Sequence, residues 1–358
     1  MSKYMAYVGS YSYRGNAKGI TIYDVDMEQG SFTKKGEVAI NNASYLVTSN
    51  DNRTLYSICD EGVVAYHIEK DGMLTRLNLA NIRGMRGCQM SVDSEDKFLM
   101  VAGYHDGKAT VLNLRPDGSI GTIVDGVYDK GLGSVAERTF RPHITCVRMT
   151  PDKKFIMIAD SGVDQVKIYK INDVDHKLVL LDMIPCDLNS APKRFIFSAD
   201  GRFMYLMYEI EDVIDVFTYE TGDRVPKLEK IQTIPTTDNT RLSQLTAACT
   251  IRFSPDEKHL LCSNAGDNTV AIFNRDEETG LLTLTSCLPI SGEYPKDFGL
   301  FPDDKHLAVC NHESGSITFF TVDYQFSDTK SLLIMAGKPQ HVSQPNCITF
   351  AEIPDQEA

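Results

Sequence analysis

Six times along the chain the same local pattern recurs: a short apolar stretch, a turn carrying an acid, a second apolar stretch ending in small or polar residues, and an alternating strand. The clearest copies read FSADGRFMYLMYEIEDVIDVF at 197–217, FSPDEKHLLCSNAGDNTVAIF at 253–273 and FPDDKHLAVCNHESGSITFF at 301–320. Anchored on the turn acid, the copies sit at Asp51, Glu95, Asp152, Asp200, Asp256 and Asp303, spaced by 44, 57, 48, 56 and 47 residues. β-type segments repeating at this period predict a propeller, because one four-stranded blade cannot bury its faces alone and must stack in a ring. The expected fold is therefore all-β, with the whole chain, 1–358, forming one cooperative domain.

The third copy spells out a complete blade. HITCVRMT leads into the PDKK turn, and FIMIAD, QVKIYKI and KLVLLDMI follow. Alternating Val, Ile, Phe and Tyr between turns rich in Gly, Asp, Asn and Pro is the chemistry of antiparallel strands. The connections 125–142 and 236–247 are polar and read as surface loops between blades. Six anchors leave both ends unassigned. YMAYVGSYSYRGNAKGITIYDVD and SFTKKGEVAI supply three strands without an innermost one, and QPNCITFAEIP near the C-terminus matches an innermost strand with nothing after it. Together they predict a seventh blade, stitched from both termini, that closes the ring and removes its open edges.

Composition narrows the function classes. The formal net charge of −13 argues against nucleic acid as a partner, which would need a basic footprint. It also means that an anionic substrate must be drawn in by a local cluster of cations against the field of the whole molecule. No run of about 18 apolar residues predicts a membrane span. The start, MSKYMAYVGSYS, has no apolar segment followed by a cleavage site and goes straight into strand-like sequence, and the cysteine usage is that expected of a cytoplasmic protein. Nine cysteines, odd in number and without a C-x-x-C pair, predict reduced, mostly buried thiols rather than a disulfide framework or a zinc site.

The phase of the repeat points to a site. If each innermost hairpin turns about one residue past its anchor, a residue seven before the acid faces one nine after it, at one mouth of the channel. Positions seven and six before the acid are Ser44/Tyr45, Cys88/Gln89, Thr145/Cys146, Lys193/Arg194, Cys249/Thr250 and Lys296/Asp297. Position nine after is Asp60, Tyr104, Ser161, Glu209, Ala265 and His312, and His143 lies just before this level. A ring mouth holding cations, a carboxylate and imidazoles is where a small-molecule site is expected. By the period-2 rule, Lys193 and Arg194 should not both face the channel, which favours Arg194 for substrate contact. His259 and His306, each three after its anchor, read instead as a blade-turn signature. No Gly-rich phosphate loop, nucleophile elbow or H-E-x-x-H motif occurs.

Across essentially its whole length the chain resembles the seven-bladed lactonase family, which includes the propeller type of 6-phosphogluconolactonase and fungal carboxy-muconate cyclase. The matching stretches are YVGSY with KGITIY, GYHDGKATVLNL at 103–114, RPHITCVRMTPD at 141–152, APKRFIFSADGRFMYLMYE at 191–209, IRFSPDEKHLLCSN at 251–264 and PKDFGLFPDDKHL at 295–307. The resemblance aligns His143 with the first histidine of a His-x-His pair, with Thr145 in place of the second. It aligns Glu209 with the glutamate that ends a second strand, and Lys193-Arg194 with a common Arg-His pair. Ala265 and Lys296 stand where arginines are usual, and His312 where glutamine is frequent. Arginine's bidentate fork is not reproduced by lysine, so these departures imply a changed substrate or a site that binds without turnover.

What the resemblance implies is hydrolysis of a sugar lactone, above all 6-phosphogluconolactone, with no metal or cofactor required. His143 or Glu209 would take the proton from water, and Arg194 or Lys193 would stabilise the oxyanion. Lys296 and His312 would hold the substrate's phosphate or carboxylate, with Tyr104 against the sugar ring. Two other readings fit the same residues: cyclisation of an unsaturated acid of the muconate type, and a non-catalytic propeller that binds a ligand or protein. The absence of tryptophan, and of any WD-type dipeptide, disfavours a protein scaffold.

Overall fold

The computed structural model describes residues 3–353 apart from 14, 134–140, 239–245 and 328. All regular structure among these residues is strand, arranged as seven antiparallel sheets. The innermost strands are Leu46–Thr48, Gln89–Val92, Ile144–Met149, Pro192–Phe197, Ala247–Phe253, Pro295–Leu300 and Pro345–Ile353. Each packs on the next and the last returns to the first, so the sheets form a closed ring around a channel. We number the blades 1 to 6 from Leu46 onward. Blade 7 is the composite one.

Blade 7 has the order Pro345–Ile353, Lys3–Ser10, Gly19–Asp26, Ser31–Ala39. The C-terminal strand pairs with the first strand from Lys3↔Ile353 to Gly9↔Cys347, so the chain ends tie the ring and cover what would be a bare edge. Blade 6 exceeds the expected four strands, because the short segment Gln340–His341 also pairs with Ser316–Ser327. The predicted loop 125–142 begins inside the outer strand Ile120–Tyr128, and 134–140 and 239–245 of the two predicted loops lie outside the described residues.

The repeated acid is explained by its turn. In blades 1, 3, 4 and 5 a Ser or Thr two residues earlier donates its hydroxyl to the acid: Ser49 to Asp51 at 2.7 Å, Thr150 to Asp152 at 2.6 Å, Ser198 to Asp200 at 2.6 Å and Ser254 to Asp256 at 2.7 Å. The same carboxylates accept the amide two residues on, which fixes an Asx-type turn where the chain reverses. Blade 2 moves the job to Asp93, which accepts the amides of Glu95, Lys97 and Phe98. Blade 6 lacks the hydroxyl, and there His306 Nδ1 donates to Asp303 at 2.7 Å. His259 instead stacks on Tyr324 with ring centres 3.8 Å apart. Both histidines are therefore turn residues, as the repeat suggests.

Neighbouring blades are stapled by buried tyrosines. Tyr7, Tyr56 and Tyr205 sit on second strands and donate their hydroxyls to the carbonyls of Gly72, Gly118 and Gly280 in the outer hairpin of the next blade, at 2.9, 2.9 and 2.8 Å. Gly280 has φ of 74°, and a Cβ there would stand 2.3 Å from Phe203 Cδ1, so both backbone and packing demand glycine. Each staple buries a large ring while satisfying its polar tip. At Tyr205 the hydroxyl also accepts from Arg275 Nε at 2.8 Å. Tyr205→Phe is expected to lower unfolding stability by about 2 kcal/mol in a urea titration, since it leaves a buried carbonyl and a guanidinium N–H unpaired.

Candidate functional site

The innermost strands share a defect that shapes the channel. In blades 3, 4, 5 and 6 the pairing register jumps between Ile144 and Cys146, Pro192 and Arg194, Ala248 and Thr250, and Pro295 and Asp297. In blade 7 it jumps between the partners Pro345 and Cys347. One residue is left over in each strand: Thr145, Lys193, Cys249, Lys296 and Asn346. A β-bulge of this kind inserts an unpaired residue and re-aims its side chain. All five, with Ser44 and Cys88 at the equivalent positions of blades 1 and 2, line one cavity of about 350 Å³ at the start of the inner strands.

The bulge overturns the expectation that Lys193 and Arg194 exclude each other. Lys193 lies outside the alternating register, so both side chains line the cavity. It also corrects the hairpin phase: residues eight before the anchor pair with those eight after it, as in Pro192↔Tyr208, while Glu209 gives its amide to the Ala191 carbonyl at 2.8 Å. Lys193 still reaches Glu209, with Nζ 3.0 Å from Oε1. Asp297 does not face the mouth. It is buried, accepts two contacts from Arg252 Nη2 at 3.0 and 2.8 Å, and takes the Ile348 amide at 3.0 Å, tying the inner strands of blades 5, 6 and 7.

Five of the seven residues expected in the site line the cavity: Tyr104, Lys193, Arg194, Glu209 and Lys296. Glu209 is the one acid among its described lining residues. Burial disfavours charge on Lys193, but the Glu209 carboxylate outweighs it and holds the ammonium above the ordinary lysine pKa. Lys296 has the opposite shift. Burial, reinforced by the Lys193 ammonium, pushes its pKa down, and its Nζ lies 5.0 Å from the Tyr11 ring centre. Arg194 donates to the Thr250 hydroxyl and stands 5.3 Å from the Tyr45 ring centre. In a chain of net charge −13, three cations facing one carboxylate form the local basic cluster that an anionic ligand requires. Tyr11, Tyr294 and Asn346 line the cavity too and carried no repeat signal, because Tyr11 follows the second strand of blade 7 and Asn346 lies in its inner strand, a blade without an anchor acid, while Tyr294 precedes the inner strand of blade 6.

The two histidines lie behind this wall. His143 is 5% exposed and stacks on Tyr104 with ring centres 4.2 Å apart. Its Nδ1 donates to the Tyr104 carbonyl at 2.7 Å, which leaves Nε2 as the acceptor of the neutral ring. His312 is buried edge-on against Tyr11, and burial together with the Lys296 ammonium lowers its pKa, favouring the neutral ring. Among the described residues no three His, Cys, Asp or Glu side chains gather as metal ligands. All nine cysteines are free, and six are buried.

The lactonase family model for seven-bladed β-propellers matches residues 5–350. The chain belongs to that family. It is 29% identical over 360 residues to a 6-phosphogluconolactonase of Bacillus subtilis, covering 98% of this chain and 99% of that one. A Bacteroides fragilis structure provisionally assigned as a 6-phosphogluconolactonase superposes with a TM-score of 0.86 at 30% identity, covering 98% of both chains. A periplasmic gluconolactonase of Pseudomonas aeruginosa gives 0.87 at 26% identity, covering 98% of this chain and all of that one. No helix among the described residues is long and apolar enough to cross a membrane.

Support beneath the site is pH-dependent. The Asp160 carboxylate accepts the amides of His143 and Gly162, both at 2.8 Å, and burial with Asp129 beside it raises its pKa to about 7. The folded protein then holds a proton that the unfolded chain releases near 3.8, so this group's contribution falls as pH rises from about 3.8 to about 7. Asp160→Asn keeps an acceptor for both amides. Its stability is expected to decline less than the parent's over that window, measured by urea unfolding at successive pH values.

Proposed function

We propose that the cavity hydrolyses a sugar lactone bearing an anionic group, with 6-phosphogluconolactone as the preferred substrate. The observation that carries this reading is the Lys193–Glu209 pair at 3.0 Å, set in one wall with Arg194 and Lys296. Glu209 is the only carboxylate among the described lining residues, so it is assigned as the base that takes a proton from water. Arg194, anchored by Thr250 and Tyr45, faces the developing oxyanion and is assigned to stabilise it. Lys296 lines the same cavity with no carboxylate in direct contact among the described residues, and it is assigned to the substrate's phosphate. Tyr104 lies against the sugar. Lys193 holds Glu209 in place through their 3.0 Å contact.

His143 then acts through Tyr104: the stacked ring and the bond to the Tyr104 carbonyl fix that phenol in the wall. His312 similarly supports Tyr11 and Tyr294. The relatives named as lactonases support the reaction class, and the basic cluster supports a charged lactone over a neutral one. Free thiols throughout the chain support a reducing, cytoplasmic setting, and the relatives named as sugar lactonases support a role in carbohydrate metabolism.

Proton release from 6-phosphogluconolactone in a pH-stat, against the uncatalysed rate and with gluconolactone alongside, tests the proposal. The parent should turn over the phosphorylated lactone faster than the neutral one. Glu209→Gln should lose about 10²–10⁴ in kcat, the scale of a positioned base. His143→Phe, which keeps the stack, should stay within about tenfold of the parent. Background rates with both lactones would overturn the reading.

A further inference from the structure

The channel contains a second chamber that shares only Tyr45 and Arg194 with the cavity assigned to the lactone. Tyr45 and Arg194 line the cavity described above and also a separate cavity of about 380 Å³ further along the inner strands, toward the acid turns. They form the partition between the two. Below it, the position four before the turn acid carries arginine in two blades, Arg148 and Arg252, and the lining is otherwise mostly apolar, with Phe253 and Phe350 among its walls.

The charge of this chamber is unbalanced. Arg252 is paired with Asp297 at 2.8 Å. Arg194 makes its contact with the neutral Thr250 hydroxyl. Arg148 is half-buried, and its Nε is shielded from solvent with no hydrogen-bond partner among the described residues. No Asp or Glu is among the described residues that line the chamber. A guanidinium N–H left buried and unpaired has lost its water without gaining a partner, a loss that an exposed arginine does not incur. An oxyanion would remove that cost, because guanidinium forks match carboxylate and phosphate oxygens bidentately.

We propose that this lower chamber is a binding site for a phosphate or carboxylate carried on an apolar or aromatic body, held by Arg148 and Arg194 with Arg252 behind them. The polar end meets the guanidinium groups, and the body packs on Phe253 and Phe350. Binding here is read without any lactone, so it stands or falls separately from the hydrolase assignment.

Isothermal titration calorimetry with phenyl phosphate, benzoate and inorganic phosphate tests it on the full chain. Phenyl phosphate or benzoate should bind the parent, and whichever binds more tightly identifies the oxyanion. Inorganic phosphate, which has no apolar body, should bind at least tenfold more weakly. Arg148→Met should weaken the aromatic probe at least tenfold, while Lys296→Met, in the upper cavity, should leave it unchanged. Arg148→Lys, which keeps the charge but not the fork, is the second variant should the first not fold, and it should also bind more weakly than the parent. No binding to the parent, parent-like binding by the Arg148 variants, or equal loss in Lys296→Met would overturn the site.

Discussion

The site depends on one backbone irregularity, the β-bulge repeated near the start of the inner strands. A strand in strict register turns alternate residues to opposite faces, so two adjacent side chains cannot share a cavity wall. Slipping one residue out of the ladder in blades 3 to 7 turns Thr145, Lys193, Cys249, Lys296 and Asn346 into the mouth. It allows Lys193 and Arg194 to serve the same cavity from consecutive positions. The bulge also leaves the strand below in ordinary pairing, so the blades stay regular where they must pack.

Ring closure makes this arrangement rigid. The bulged residues come from five different blades, and their separation is set by the packing of neighbouring inner strands. Two kinds of clamp hold that packing. Buried tyrosines bridge second strands to the next blade's glycine turns, and Asp297 joins Arg252 and the Ile348 amide near the composite blade. The side chains facing the cavity are thus positioned by a frame that does not depend on them, as preorganised charge requires.

The fold was legible because the turn acid does the same work in blades 1, 3, 4 and 5. Asp51, Asp152, Asp200 and Asp256 each close a turn through an identical hydroxyl–carboxylate–amide pattern, so they repeat visibly while the strands between them vary. Counting from the six anchor acids identified the mouth and placed Tyr104, Lys193, Arg194, Glu209 and Lys296 in it. Three things escaped the count. A bulge has no side-chain signature, so Lys193 and Arg194 looked mutually exclusive and Asp297 looked channel-facing. The composite blade has no acid, so Tyr11 and Asn346 had no phase. Depth is not encoded in register, so His143 and His312 appeared in the cavity although each sits behind a tyrosine.

The central claim is that bulged residues from separate blades act on one ligand. Carbon-13 NMR of lysine-labelled protein tests it most directly, with Glu209→Gln protein titrated with 6-phosphogluconate and the ε-carbon signals of Lys193 and Lys296 assigned by single substitutions. Both signals should shift together and saturate at one ligand concentration. Movement of only one of them, or of neither while the ligand binds, would contradict it.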